Sequence, residues 1–247
     1  MEKTLETILQ DINNVGLVYL SGSHLTNTNG ENSDYDYYVF VLPSKKQFMT
    51  KQMNKGHDFK INGSDVHVLY MSHFYQLLKK SNPSIMELLV KKPVYASQKC
   101  QEFADYLYNN RNSLISSLNP TGFLLACMGM KDNMLKQAGH IAISGRGDFG
   151  KAMFNANRAY RYAKGFIDNE PLDSMVLLHG EALQAIRAIK NMGIPELDTA
   201  KLVIDKATRQ GREIDDYLAD HFFTSDETSL VNDMIISKLP LYQEAQA

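Results

Sequence analysis

The spacing of apolar residues changes once along this chain, and that change limits the folds open to it. Up to about Ser97, segments with a helical repeat alternate with short runs rich in β-branched and aromatic residues; from there on, almost every segment repeats its apolar residues at helical spacing. Strands first and helices afterwards predict an α+β protein, with a small mixed β-sheet domain over residues 1–97 and an α-helical domain over residues 98–247. In the first part, Leu5, Ile8, Leu9 and Ile12 mark a helix, and residues 15–20 read as a buried strand. A polar stretch at 24–33 precedes a second strand at 35–42, which Pro43 and Ser44 end. Asn62-Gly63 is a two-residue hairpin signal between strands at 58–61 and 64–70, and a helix over 72–80 follows. Breaks in the helical part are predicted at Asn119-Pro120, Gly145 to Gly147, Pro171 and Pro195.

Composition narrows the partners. Lysine and arginine number 26 against 28 acidic residues, so a net charge of −2 supplies no overall basic field, and a nucleic-acid partner would need a local patch. No apolar run approaches the roughly 20 residues of a membrane helix, and the first residues lack the pattern of a secretion signal, so a cytoplasmic protein without a membrane partner is expected. Cys100 and Cys127, without paired histidines nearby, do not make a structural zinc site and are expected as reduced thiols.

The chemistry-bearing segment is Leu20-Ser21-Gly22-Ser23, nine residues, then Ser33-Asp34-Tyr35-Asp36 leading into the second strand. Side chains at i and i+2 of a strand leave the same face, so Asp34 and Asp36 can converge. Such a pair suits a hard cation: Mg²⁺ is commonly held by one or two carboxylates plus substrate phosphates. Asp65 opens a later strand, and antiparallel pairing is expected to bring it beside the first two. Three adjacent carboxylates repel one another unless cations are present, which makes the cluster costly for a structural purpose alone. Gly22 lets the backbone approach a phosphate closely, and the Ser23 hydroxyl can donate to its oxygens.

On these residues the chain resembles the DNA polymerase beta superfamily of nucleotidyltransferases, and more narrowly a bacterial and phage branch of which some members are associated with RNA-repair ligases. The resemblance is carried by Gly22-Ser23 with Ser33-Asp34-Tyr35-Asp36, by Asn82-Pro83-Ser84-Ile85-Met86-Glu87-Leu88-Leu89, and by Lys151 through Arg158. It implies a metal-dependent enzyme that moves an NMP from an NTP to an acceptor hydroxyl and releases pyrophosphate. Asp34, Asp36 and Asp65 would be the catalytic and metal-binding residues, for Mg²⁺ or Mn²⁺. Gly22, Ser23, Ser33, Lys151 and Arg158 would hold the nucleotide. Family association points to RNA or tRNA as acceptor, while a protein side chain or a small molecule stays open. Where that branch often has Arg and an aromatic after Gly-Ser, this chain has His24-Leu25, and Asn155 stands where a His is usual between Lys and Arg.

Other readings compete. A protein of this fold could bind NTP without turning it over, as a regulatory or antitoxin-like protein, and a helical scaffold with an incidental acidic edge would bind none. Residues 145–151, Gly-Arg-Gly-Asp-Phe-Gly-Lys, match parts of two phosphate-loop templates, but Ala152 lacks the hydroxyl a P-loop requires, and no returning strands follow. A helix-helix loop with Asp148 capping the next helix is expected instead. Lys151 and Arg158 lie seven apart, two helical turns, and share a face, with Arg161 as a weaker candidate. His67 and the tyrosines at 35, 37 and 38 have ordinary packing roles as their plainest explanation.

Overall fold

The structure, a computed structural model, describes residues 2–30, 33–44, 47, 56–221 and 228–239. It forms two compact units: residues up to Asn119 together with the helix Thr228–Lys238, and residues 120–221. The expected boundary lay near Ser97; helix α5, Gln101–Leu118, goes with the sheet because Phe103 packs on Phe74 at 6.1 Å.

The first unit is built on a five-stranded mixed sheet of order β3-β4-β2-β1-β5, with β1 Val15–Ser21, β2 Asp36–Val41, β3 His57–Ile61, β4 Ser64–Tyr70 and β5 Tyr95–Ala96. Helix α1, Glu2–Asp11, lays Leu5, Ile8 and Leu9, with Ile12 just past its end, against Val18, Tyr37, Val39, Val66 and Val68. Period-two alternation sends Tyr38 and Phe40 to the other face. There Phe40 meets Tyr19 at 6.1 Å and Phe74 of helix α3, Met71–Lys79, at 4.2 Å. The hairpin forms as its turn residues demand, with Asn62 at φ 50° and Gly63 at φ 81° joining β3 and β4 in antiparallel register.

One pairing differs from expectation. β4 runs parallel to β2, with Asp36 opposite Asp65, where antiparallel pairing was expected. The composition of the hairpin accounts for it. β4 carries buried Val66 and Val68 and takes the inner position, whereas β3, with exposed Asp58 and Lys60, suits a charged edge.

Helix α4, Pro83–Met86, starts with Asn82 as its N-cap, the side-chain oxygen accepting from Ser84 N at 3.0 Å and Pro83 at the first position. It continues into a 3-10 turn, Glu87–Val90, whose four residues are all buried. Cys100 and Cys127 are buried and are not joined in a disulfide.

The second unit is helical. Helix α6, Pro120–Ser144, packs along α7, Phe149–Ile167, and α10, Leu197–Gln210, around Leu135, Ala138, Phe149, Ala152, Ala156 and Ala200. Breaks fall where Pro120, Gly145 to Gly147, Pro171 and Pro195 predict them, with the short helix α8, Leu172–Val176, following Pro171. A further break precedes α9, Gly180–Lys190, where Gly180 takes φ 54°. Lys131 is buried, its ammonium close against Gly211 just past the C-terminal end of α10 and 3.8 Å from Asp132 Oδ1. Among the described residues, no single helix is long and apolar enough to cross a membrane.

Candidate active site

Sheet order assembles the candidate site. Ser21 of β1 lies opposite Asp36 of β2, Asp36 opposite Asp65 of β4, and Asp65 opposite Lys60 of β3. Directly opposed residues project from the same face, so Ser21, Asp36, Asp65 and Lys60 form one row across four strands spaced about 4.8 Å apart. One strand pair further along the same face lie Tyr19, Tyr38, His67 and Asp58. The His67 ring stands 5.0 Å from Tyr38, and its Nδ1 is 2.8 Å from Asp58 Oδ1. That ion-pair geometry gives His67 a structural role at the sheet edge.

At the end of β1 the chain turns through Gly22 into the short helix α2, Gly22–Leu25. Gly22 has φ +62°, and a Cβ there would lie 2.1 Å from Asp36 Oδ2. Glycine is therefore required twice over, by the backbone conformation and by the carboxylate lying against it. Ser23 is half-buried in the first turn of α2, where helical geometry leaves the leading N–H groups without intrahelical acceptors.

The loop that carries Asp34 is closed from within. The His24 ring stacks on Tyr35 at 4.0 Å and its Nε2 lies 3.0 Å from Ser33 O. Ser33 Oγ accepts from Gly30 N at 2.8 Å. Lys91 Nζ donates to His24 O and to Asn27 Oδ1, at 3.2 and 3.3 Å, and burial pushes its pKa below the ordinary lysine value. These contacts give His24 a structural task. Asp34 is exposed and precedes β2, which begins at Asp36, while Tyr37 is buried beneath the row.

Lys60 was not anticipated. Its Nζ lies 3.1 Å from Asp65 Oδ1, and the bond and charge of Asp65 push its pKa up, with Asp34 and Asp36 adding to the effect. Among the described residues, however, no three His, Cys, Asp or Glu side chains stand close enough to hold a metal ion. The donors are nonetheless of the right kind. Asp36 and Asp65 supply hard oxygens from opposed strand positions, as Mg²⁺ or Mn²⁺ requires, and the Lys60 ammonium shows that the row accepts a cation.

Lys151 and Arg158 both lie on α7 in the second unit, Lys151 exposed and Arg158 half-buried with its guanidinium 5.9 Å from the Phe154 ring. Arg161 donates to Ser174 O. The glycine-rich loop joins α6 to α7, and Asp148 caps the latter by accepting from Lys151 N at 2.7 Å. Gly150 is demanded by packing: a Cβ there would lie 2.4 Å from Lys190 O and 2.6 Å from Met192 O. Neither phosphate-loop template describes this segment.

Among solved structures, the chain is similar to a nucleotidyltransferase-like protein from Exiguobacterium sibiricum 255-15, at 11% identity over 87% of this chain and 78% of that one, with a TM-score of 0.32. No curated protein matches the chain. Residues 2–95, which contain Gly22, Ser23, Ser33, Asp34, Asp36 and Asp65, match the family model of the nucleotidyltransferase domain.

Proposed function

We propose that this protein is a metal-dependent nucleotidyltransferase that moves an NMP from an NTP to an acceptor hydroxyl with release of pyrophosphate. The observation that carries the reading is the row Ser21, Asp36 and Asp65, closed by Gly22 against Asp36, within a segment matching a nucleotidyltransferase domain. Asp34, Asp36 and Asp65 would hold Mg²⁺ or Mn²⁺. When bound, such an ion supplies charge to activate the attacking oxygen and to stabilise the leaving one. Asp65, at the sheet side of the row, would orient the acceptor hydroxyl and take up its proton. The Gly22 and Ser23 amides and the Ser23 and Ser33 hydroxyls would donate to phosphate oxygens. RNA is the first acceptor to test, in keeping with the RNA-repair branch that the motifs resemble, and the cytoplasm is the proposed place of action.

The test incubates the full chain and an Asp34→Ala/Asp36→Ala variant with Mg²⁺ and each of the four α-labelled NTPs, with total RNA or cell extract as acceptor. Label transferred by the native protein and not by the variant is the expected result, and its destination identifies the acceptor class. NTP binding without transfer would instead assign a regulatory, nucleotide-binding role.

A further inference from the structure

We propose that Lys60 is a built-in competitor of the divalent cation at Asp65, so that ammonium and metal are alternative partners of one carboxylate. The inference rests on the metal-dependent reading above and adds to it a residue that sets how tightly the metal is held.

Three observations carry it. The two-residue turn at Asn62-Gly63 fixes the hairpin register and puts Lys60 directly opposite Asp65 on the same face, with the ion pair made at 3.1 Å. The two side chains are 68% and 44% exposed, so the pair opens without disturbing any core, and it is of the weak, solvent-screened kind that a doubly charged ion can displace. Asp36 stands opposite Asp65 on the neighbouring strand, so Lys60, Asp65 and Asp36 follow one another in a single row. His67 does not share the task, because its Nδ1 is engaged with Asp58. A divalent cation arriving at the row therefore meets a resident positive charge. It gains Asp65 only by turning Lys60 toward solvent, which lowers its affinity and favours entry together with the phosphates of a nucleotide.

The experiment measures Mn²⁺ binding to the full chain from the paramagnetic resonance signal of the free ion, at low ionic strength and without nucleotide. Native protein, Lys60→Met, Lys60→Gln, Lys60→Arg and Asp36→Asn are compared. Both charge-free variants are expected to bind Mn²⁺ about three- to tenfold more tightly than native protein, with the gap narrowing as salt is added. Lys60→Arg, which keeps the charge, is expected to stay near native. If native protein binds Mn²⁺ and Asp36→Asn does not, but removing the charge at Lys60 leaves affinity equal or weaker, the competition is overturned while the metal site stands. If Asp36→Asn binds as well as native protein, the metal is not held by this row, and both readings fall.

Discussion

Gly22→Ala isolates what glycine does at the centre of the site. Gly22 sits at φ +62°, where an L side chain is strained by roughly 1–2 kcal/mol. The new Cβ would also stand 2.1 Å from Asp36 Oδ2, a separation that real atoms do not tolerate, so the carboxylate must rotate or the strand must shift. An off-rotamer side chain adds about 0.5–1.5 kcal/mol. The expected total is about 1.5–3.5 kcal/mol. Gly63 provides the control, because it has φ +81° and a Cβ added there would meet nothing within 4 Å, so Gly63→Ala should lose only the conformational part. Urea unfolding of both variants, with Mn²⁺ binding measured on each, separates the two contributions. Gly22→Ala should be the less stable of the pair and should bind Mn²⁺ more weakly, whereas Gly63→Ala should bind as native protein does. Equal destabilisation with native Mn²⁺ affinity in both would refute the claim that Gly22 fixes the position of the Asp36 carboxylate.

Other perturbations test the helical unit. Asp148→Ala removes the N-cap of α7 and should lower stability by about 1 kcal/mol, read from urea unfolding. Gly150→Ala drives a methyl into the carbonyls of Lys190 and Met192 and should destabilise by about 1–3 kcal/mol. Gly129→Ala, inside α6 with nothing within 4 Å, should stabilise by about 0.5–1 kcal/mol. Unchanged stability in Gly150→Ala with lost NTP binding would reinstate a phosphate role for that loop. Burial, with the hydrogen bond to Glu213 next, raises the Tyr160 pKa from 10.0 to about 12. The folded state therefore keeps a proton that the unfolded state releases, so the stabilisation is complete below about pH 10 and is lost as pH rises toward 12. Thermal unfolding from pH 8 to 11 should show that decline, and Tyr160→Phe should flatten it.

Much of the fold was legible because it is written locally. Asn62-Gly63 specifies a tight turn, Asn82-Pro83 and Asp148 specify helix starts, and Ile8 with Leu9 and Ile12 specifies a buried helix face. The direction of β4 was not legible from its own residues. Which strand of the hairpin enters the sheet is decided by what each can bury: Val66 and Val68 favour the interior, and Asp58 and Lys60 favour water. That preference is visible in the composition of the two strands once they are compared as rivals for one position. The break before Gly180 was missed because no proline marks it, and the glycine acts there through its φ of 54° alone.

The candidate site divides along the same line. Asp36 and Asp65 meet through a long-range pairing, which no local pattern encodes, whereas Lys60 meets Asp65 through a two-residue turn and follows by counting outward from it: Ile61 opposite Ser64, then Lys60 opposite Asp65. The same register that makes the turn favourable thus puts a cation on the third acid. Asp65 is consequently subject to two opposed demands. The hairpin gains from its attraction to Lys60, while the sheet sets it beside Asp36, a carboxylate that repels it. Such conflict between local and long-range preference is expected where a sequence serves chemistry as well as folding. It is relieved by positive charge at the row, from the ammonium of Lys60 or from a divalent ion. On the proposed function, the sheet would leave the source of that neutralising charge exchangeable, as a site for metal and nucleotide requires.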